Sequence, residues 1–257
     1  MLDRLYEIDP RILYPATTVF IVAAAELGAW LGRWFRRRGR EASDISTLTG
    51  AALGLLALLL GFSFSLALSR YDTRRTLVLE EANAIGSTGN FALMLPQPEQ
   101  GPILGLLRDY TAVRIGLGVP YDPAKLQRDI ATSIDLQNRL WQQAIAVTAA
   151  APQSLPAYRF VASLNEMNNI HERRVTALSN HVPGAVMFML IGVAMVATGF
   201  TGYHAGSGKS RGRVATLIMA INIAIVIVLV IDLDQPARGL IRVPVQALVD
   251  AAQGLPR

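Results

Sequence analysis

Residues 45–95 read ISTLTGAALGLLALLLGFSFSLALSRYDTRRTLVLEEANAIGSTGNFALML, a run of 51 residues without a proline. Its first half, Ile45 to Leu68, has no charged side chain. That length suffices to cross a hydrocarbon core of about 30 Å, which takes roughly 20 apolar residues as a helix. From Arg70 onward come Arg70, Asp72, Arg74, Arg75, Glu80 and Glu81, side chains that belong in water. The stretch predicts one long helix that begins in a membrane and continues as a solvated stalk.

Two stripes lie along this helix. Gly50, Gly54, Ala57 and Gly61 recur at steps of three or four, so small residues share a face on which helix backbones approach closely. Ser65, Ser69, Asp72, Thr76, Glu80, Asn83 and Ser87 follow the same spacing and form a polar face that starts inside the apolar half. The first stripe is a candidate for oligomer packing, and Ser65 to Asn83 of the second are candidates to line a pore. The plainer readings are packing against the chain's own spans, a solvated stalk surface, and serines bonded to carbonyls one turn back.

Composition agrees with a lipid environment. The chain has 257 residues, 52% of them hydrophobic, and a mean hydropathy of +0.35, above the needs of a soluble core. The excess of 24 Lys and Arg over 19 Asp and Glu does not point to nucleic acid, because eight cations sit in two short connections. These are Arg33, Arg36, Arg37, Arg38 and Arg40, then Lys209, Arg211 and Arg213. By the positive-inside rule both connections face the cytoplasm, which puts the region between the second and third spans outside. With no cysteine, disulfides and thiolate chemistry are excluded.

The remaining spans are Pro15 to Phe35, Val182 to Tyr203 and Val214 to Ile231. The first carries its cations after the apolar run, the reverse of a secretory leader. Glu26 within it is an ion-site candidate or, more simply, the partner of Arg33 or another cation. Pro96, Pro98, Gly101 and Pro102 end the long helix. A short helix is expected over Ile103 to Leu117. Asp122 with Pro123 opens another, ending near Ala151, whose apolar face holds Leu126, Ile130, Ile134, Trp141 and Ile145. Ser154 caps the next, with the stripe Phe160, Leu164, Met167, His171, Val175 and Leu178. The tail from Ala237 is short and mixed.

The class is all-α: a multi-pass membrane protein with four transmembrane helices and a helical insert between helices 2 and 3. The expected division is residues 1–69, 70–181 and 182–257.

Motifs for chemistry are weak. Ala205-Gly206-Ser207-Gly208-Lys209-Ser210 resembles the end of a phosphate-binding loop, but Tyr203 stands where the first glycine belongs and the setting is a link between spans. His171-Glu172 lacks the second histidine of a zinc helix, since Val175 holds that position. A hydrogen-bonded core histidine is the better reading of His171. Asn165, Glu166 and Asn168 read as a polar network or a solvated face. Asp232 and Asp234 either bind a cation or pair with Arg238 and Arg242 at the membrane surface. No nucleophile, base and orienting group stand at an interpretable spacing, so an enzyme is not expected, nor a metal or cofactor.

Several stretches together resemble the bacterial membrane family of bestrophin-like domain proteins. They are Leu58-Leu59-Leu60-Gly61-Phe62-Ser63 leading to Glu81-Ala82-Asn83-Ala84-Ile85-Gly86, Leu164-Asn165-Glu166-Met167 with His171, and Asp232-Leu233-Asp234-Gln235-Pro236 with Gly239. The resemblance marks Glu81, Asn83, Gly86, Asn165, Glu166, His171, Asp232, Asp234, Pro236 and Gly239 as motif positions. True bestrophins, pentameric anion channels with four membrane helices per subunit, are similar only in layout. No pore motif or acidic calcium clasp like theirs is present, so gating and selectivity do not carry over. The resemblance implies a homo-oligomer, with a pentamer as the candidate, in a bacterial inner membrane. The two functional readings are an ion channel lined by the second helix and a non-conducting scaffold or sensor whose insert binds a partner.

Overall fold

The computed structural model describes residues 8–38, 45–117, 122–207, 212–235 and 238–256. Among these there are eight helices and no strand: α1 Pro10–Arg37, α2 Ser46–Ala92, α3 Gln100–Ile115, α4 Pro123–Ala150, α5 Leu155–Ser179, α6 Gly184–Ser207, α7 Arg213–Asp234 and α8 Gln246–Gly254. Four helical stretches are long and apolar enough to cross a membrane, namely α1, α2, the run from α5 into α6, and α7. The all-helical class with four spans is therefore the observed one.

Local chemistry sets most helix ends. The Asp9 side chain accepts from the Arg11 amide with Pro10 in the first turn, so α1 starts five residues before Pro15. Asp122 and Ser154 cap α4 and α5 as expected, accepting from the amides of Ala124 and Ala157. The break between α5 and α6 falls at residues 180–183. Pro183 disfavours a helical Val182 and supplies no amide hydrogen.

The chain divides into two compact units, residues 1–70 with 181–241 and residues 71–180 with 242–257. In the first, α1 packs along α6, and both contact α7. Glycines allow this. A methyl group on Gly28 would overlap the Gly199 carbonyl, and one on Gly202 or Gly206 would overlap the carbonyl of Ala25 or Ala29. Gly28 and Gly32 face Gly202 and Gly206 with small-xxx-small spacing on both helices, the arrangement by which spans approach in lipid. This seam was not anticipated from the sequence.

The second unit has a conventional apolar core of Ile85, Leu107, Leu140, Phe160, Leu164 and Met167, closed by Leu248 and Leu255. The tail read as short and mixed thus contains α8, which packs on α3. The expected face of α4 is also corrected. Ser133, Leu136, Gln137, Leu140, Ala144 and Val147 are buried, whereas Ile134 and Ile145 are 41% and 52% exposed. At 100° per residue these are two adjacent apolar stripes about a quarter-turn apart, and α3 and α5 cover the less conspicuous one.

Candidate functional site

Glu81 organises the second unit. It sits on the face of α2 that also buries Val78 and Ile85, and three polar side chains from other helices converge on it. Its Oε1 accepts 2.6 Å from Arg114 Nε and 2.9 Å from the Tyr110 hydroxyl, both on α3. Its Oε2 accepts from Arg174 Nη1 on α5. Tyr110 Oη lies 3.2 Å from His171 Nδ1, one turn before Arg174. The Arg114 and Glu81 side chains have no solvent exposure and that of Arg174 has 7%.

This corrects the reading of residues 70–95 as a wholly solvated stalk. Glu81 and Arg74 are buried among protein partners, because a charge removed from water survives when paired and hydrogen-bonded. The Arg74 guanidinium reaches the α5 C-terminus, donating to the carbonyls of Ala177 at 3.1 Å and Asn180 at 2.7 Å. Those carbonyls lack helical partners, and the helix dipole favours a cation there.

The electrostatics follow from the geometry. Burial alone would raise the Glu81 carboxyl, but Arg114 and Arg174 outweigh it and hold the group below the ordinary value. Burial and then the Glu81 charge push the Tyr110 hydroxyl up, so it stays a donor. Burial, reinforced by Arg114, lowers His171 to about 4, leaving it neutral near pH 7. One carboxylate thus balances two guanidinium groups. The Nη1 and Nη2 atoms of Arg114 have no hydrogen-bond partner, while the Tyr110 ring lies 5.9 Å from its guanidinium carbon.

Beside this cluster, a groove of about 410 Å³ lies between α2 and α5. It is lined by Glu80, Asn83, Ser87, Ser163, Glu166 and Arg173. Arg173 bridges two carboxylates, 2.9 Å from Glu80 and 3.7 Å from Glu166. The groove therefore brings together Glu80, Asn83 and Glu166 from widely separated motifs. Ser65, Ser69, Asp72, Thr76, Asn83 and Ser87 are exposed along one face of α2, with Glu80 half-buried. A Cβ on Gly50, Gly54 or Gly61 would meet nothing within 4 Å. Gly86 is half-buried and Asn165 exposed.

In the first unit, Asp232 and Asp234 are buried within the protein, at 3% and 0% exposure. Asp232 accepts from the Tyr14 hydroxyl at 2.6 Å and from the amides of Leu240 and Ile241 at 2.7 and 2.8 Å. Gly239 belongs to the same knot, since a Cβ there would lie 2.8 Å from the Asp232 carbonyl oxygen. Asp234 accepts from the Val182 amide at 2.8 Å, close to the positive end of α6. Both carboxylates thus lie in a folded knot in which backbone amides are among their partners. Glu26 pairs with Arg213 at 2.9 Å, so its partner is the more distant cation rather than Arg33.

Gly206 of the phosphate-loop resemblance is absorbed into the seam with α1. Residues 208–210 of that motif, the loop cations Arg40 and Arg211, and the motif position Pro236 lie outside the described residues. Among the described residues, no three carboxylate or imidazole side chains converge to hold a metal.

The architecture has solved counterparts. The crystal structure of a bacterial bestrophin homologue from Klebsiella pneumoniae matches with a TM-score of 0.75 at 14% identity, covering 93% of this chain and 96% of that one. A structure of a mutated form of that homologue matches with a TM-score of 0.74 at 14% identity, over 94% and 97%. No curated protein matches the sequence. The model of the bestrophin-like domain matches residues 19–248, and the chain belongs to the bestrophin-like family.

Proposed function

We propose that the protein is a homo-oligomeric ion channel of the bacterial inner membrane in which α2 lines the pore. The observation that carries this reading is the exposed polar face of α2. Ser65, Ser69, Asp72, Thr76 and Asn83 are exposed in the single chain, and Glu80 half-exposed beside them. Hydroxyls in a membrane span gain most where they meet water, and several copies facing one axis supply it. Gly50, Gly54, Ala57 and Gly61 let those copies approach, because space is open beside the three glycines and Ala57 is exposed. The structural likeness to a bacterial bestrophin homologue supports the fold required, and a pentamer is the stoichiometry we assign.

The test is electrical. Purified protein in planar bilayers should conduct, and Ser65→Leu with Ser69→Leu should lower the conductance without dissociating the oligomer. Absence of wild-type current in every ion gradient removes the pore reading. Gly54→Leu with Gly61→Leu should weaken the oligomer in detergent, and unchanged stoichiometry and stability would refute α2 packing.

We place the region between α2 and α6 outside the cytoplasm, on the strength of the two cation-rich connections. A single cysteine at Gln143 should react with a membrane-impermeant reagent once the outer barrier is permeabilised. Protection there reverses the orientation.

One observation favours the second reading, a non-conducting scaffold or sensor. An apolar groove of about 270 Å³ lined by Trp141, Ala144, Ile145, Thr148, Ala149 and Val161 lies open on the second unit, a surface suited to a protein partner. A dry axis in the assembled oligomer would select that reading.

A further inference from the structure

The C-terminal end of α1 combines three features that the channel reading does not use. First, Leu27, Trp30 and Trp34 follow one another at helical spacing, with Leu27 58% and Trp30 53% exposed. Second, the aromatic rings are ordered: Trp30 stacks on Trp34 with centroids 6.5 Å apart, and Trp34 meets Phe35 edge-on at 4.9 Å. Third, the Arg38 guanidinium lies 3.8 Å over the Trp34 ring, and Arg37 is exposed beside it.

Arg33, Arg37 and Arg38 have no carboxylate within ion-pair distance among the described residues. The one acid nearby on α1, Glu26, is already engaged by Arg213 through two hydrogen bonds. An apolar, exposed stripe therefore leads through indole rings, which favour the membrane interface, to a group of guanidinium donors. Acyl chains match the stripe, and a phosphate matches the guanidinium fork, which binds phosphate through paired N–H donors. Stacking on Trp34 holds Arg38 in place and lowers the entropy lost when it binds.

We propose that this end of α1 is a binding site for an anionic phospholipid, with the indoles against the upper acyl chain and Arg33, Arg37 and Arg38 on the headgroup phosphate. The proposal needs α1 to cross the membrane but does not depend on conduction.

The test is native mass spectrometry of the full chain released from nanodiscs holding equal amounts of phosphatidylcholine and phosphatidylglycerol. The wild type should retain phosphatidylglycerol in preference by tenfold or more, since each cation near an anionic headgroup contributes about fivefold. Arg37→Gln with Arg38→Gln should remove most of that preference, whereas Arg128→Gln, a surface cation of α4, should leave it intact. Arg37→Lys with Arg38→Lys keeps the charge and the membrane insertion signal, so reduced but measurable preference is expected from it. Trp34→Leu should weaken retention at constant charge. Equal retention of both lipids by the wild type overturns the proposal. So does full displacement of phosphatidylglycerol by excess inorganic phosphate, which would mark a general anion patch with no use for the acyl chain.

Discussion

Glu81 and Arg114 stand 2.6 Å apart with neither side chain exposed to solvent, although 33 residues separate them. Removing Glu81 strands two buried guanidinium groups, whereas removing Arg114 leaves Glu81 paired with Arg174. Glu81→Gln should therefore destabilise the second unit by about 3–5 kcal/mol, and Arg114→Leu by less. The two losses should not add in a double variant, because without Arg114 the loss of Glu81 strands one guanidinium group instead of two. Thermal unfolding in detergent measures all three, and an unchanged midpoint for Glu81→Gln would refute the role given to the cluster.

His171 gives the second unit a defined pH dependence. Its folded value of about 4 lies below the ordinary 6.5, so between those values the unfolded chain binds a proton that the folded chain refuses. Stability is then fully present above about pH 6.5 and falls as pH drops toward 4, by on the order of 3 kcal/mol. Glu81, held below its ordinary value of 4.5, adds a further loss as pH falls through the more acidic range. A His171→Asn variant should flatten the decline between pH 6.5 and 4. An identical slope in the variant would assign the dependence elsewhere.

Asp232 should tolerate little change. Asp232→Asn keeps the shape but removes the charge that strengthens the bonds from Tyr14, Leu240 and Ile241, at an expected cost of about 1.5–3 kcal/mol. Tyr14→Phe removes one of the three bonds and should cost about 1 kcal/mol. Limited proteolysis after residue 238 reports the knot directly, and equal protection in wild type and Asp232→Asn would contradict this account.

Two glycine substitutions should separate packing within the chain from packing between copies. Gly202→Val places a side chain against the Ala25 backbone, which cannot move aside as a rotamer would. A loss of about 1–3 kcal/mol or more, seen as a lower thermal midpoint of the monomer, is expected. Gly54→Leu meets nothing within the chain, so it should leave monomer stability unchanged and alter only the oligomer. Equal effects of both on the monomer would deny the distinction.

The membrane spans, the long helix and the caps at Asp122 and Ser154 were legible because each depends on neighbouring residues. Lipid demands an unbroken apolar run, and a cap is a contact between residues two or three apart. His171 was readable as a core histidine because its burial follows the stripe of α5.

What remained hidden in the sequence was every feature fixed by residues distant in the chain. Arg174 and Glu81 are 93 positions apart and Tyr14 and Asp232 are 218, so nothing local distinguishes a buried charge from a solvated one at residues 74 or 81. The more apolar stripe of α4 is the one its sequence advertises, and only the arrival of α3 and α5 selected the other, which holds Leu136 and Leu140. Small residues likewise occur on several spans. Gly28 is pressed against Gly199 and Gly202 against Ala25 while Gly54 stands open, because backbone approach needs matching small surfaces on both helices at one crossing, and that coincidence exists only once the chain has folded.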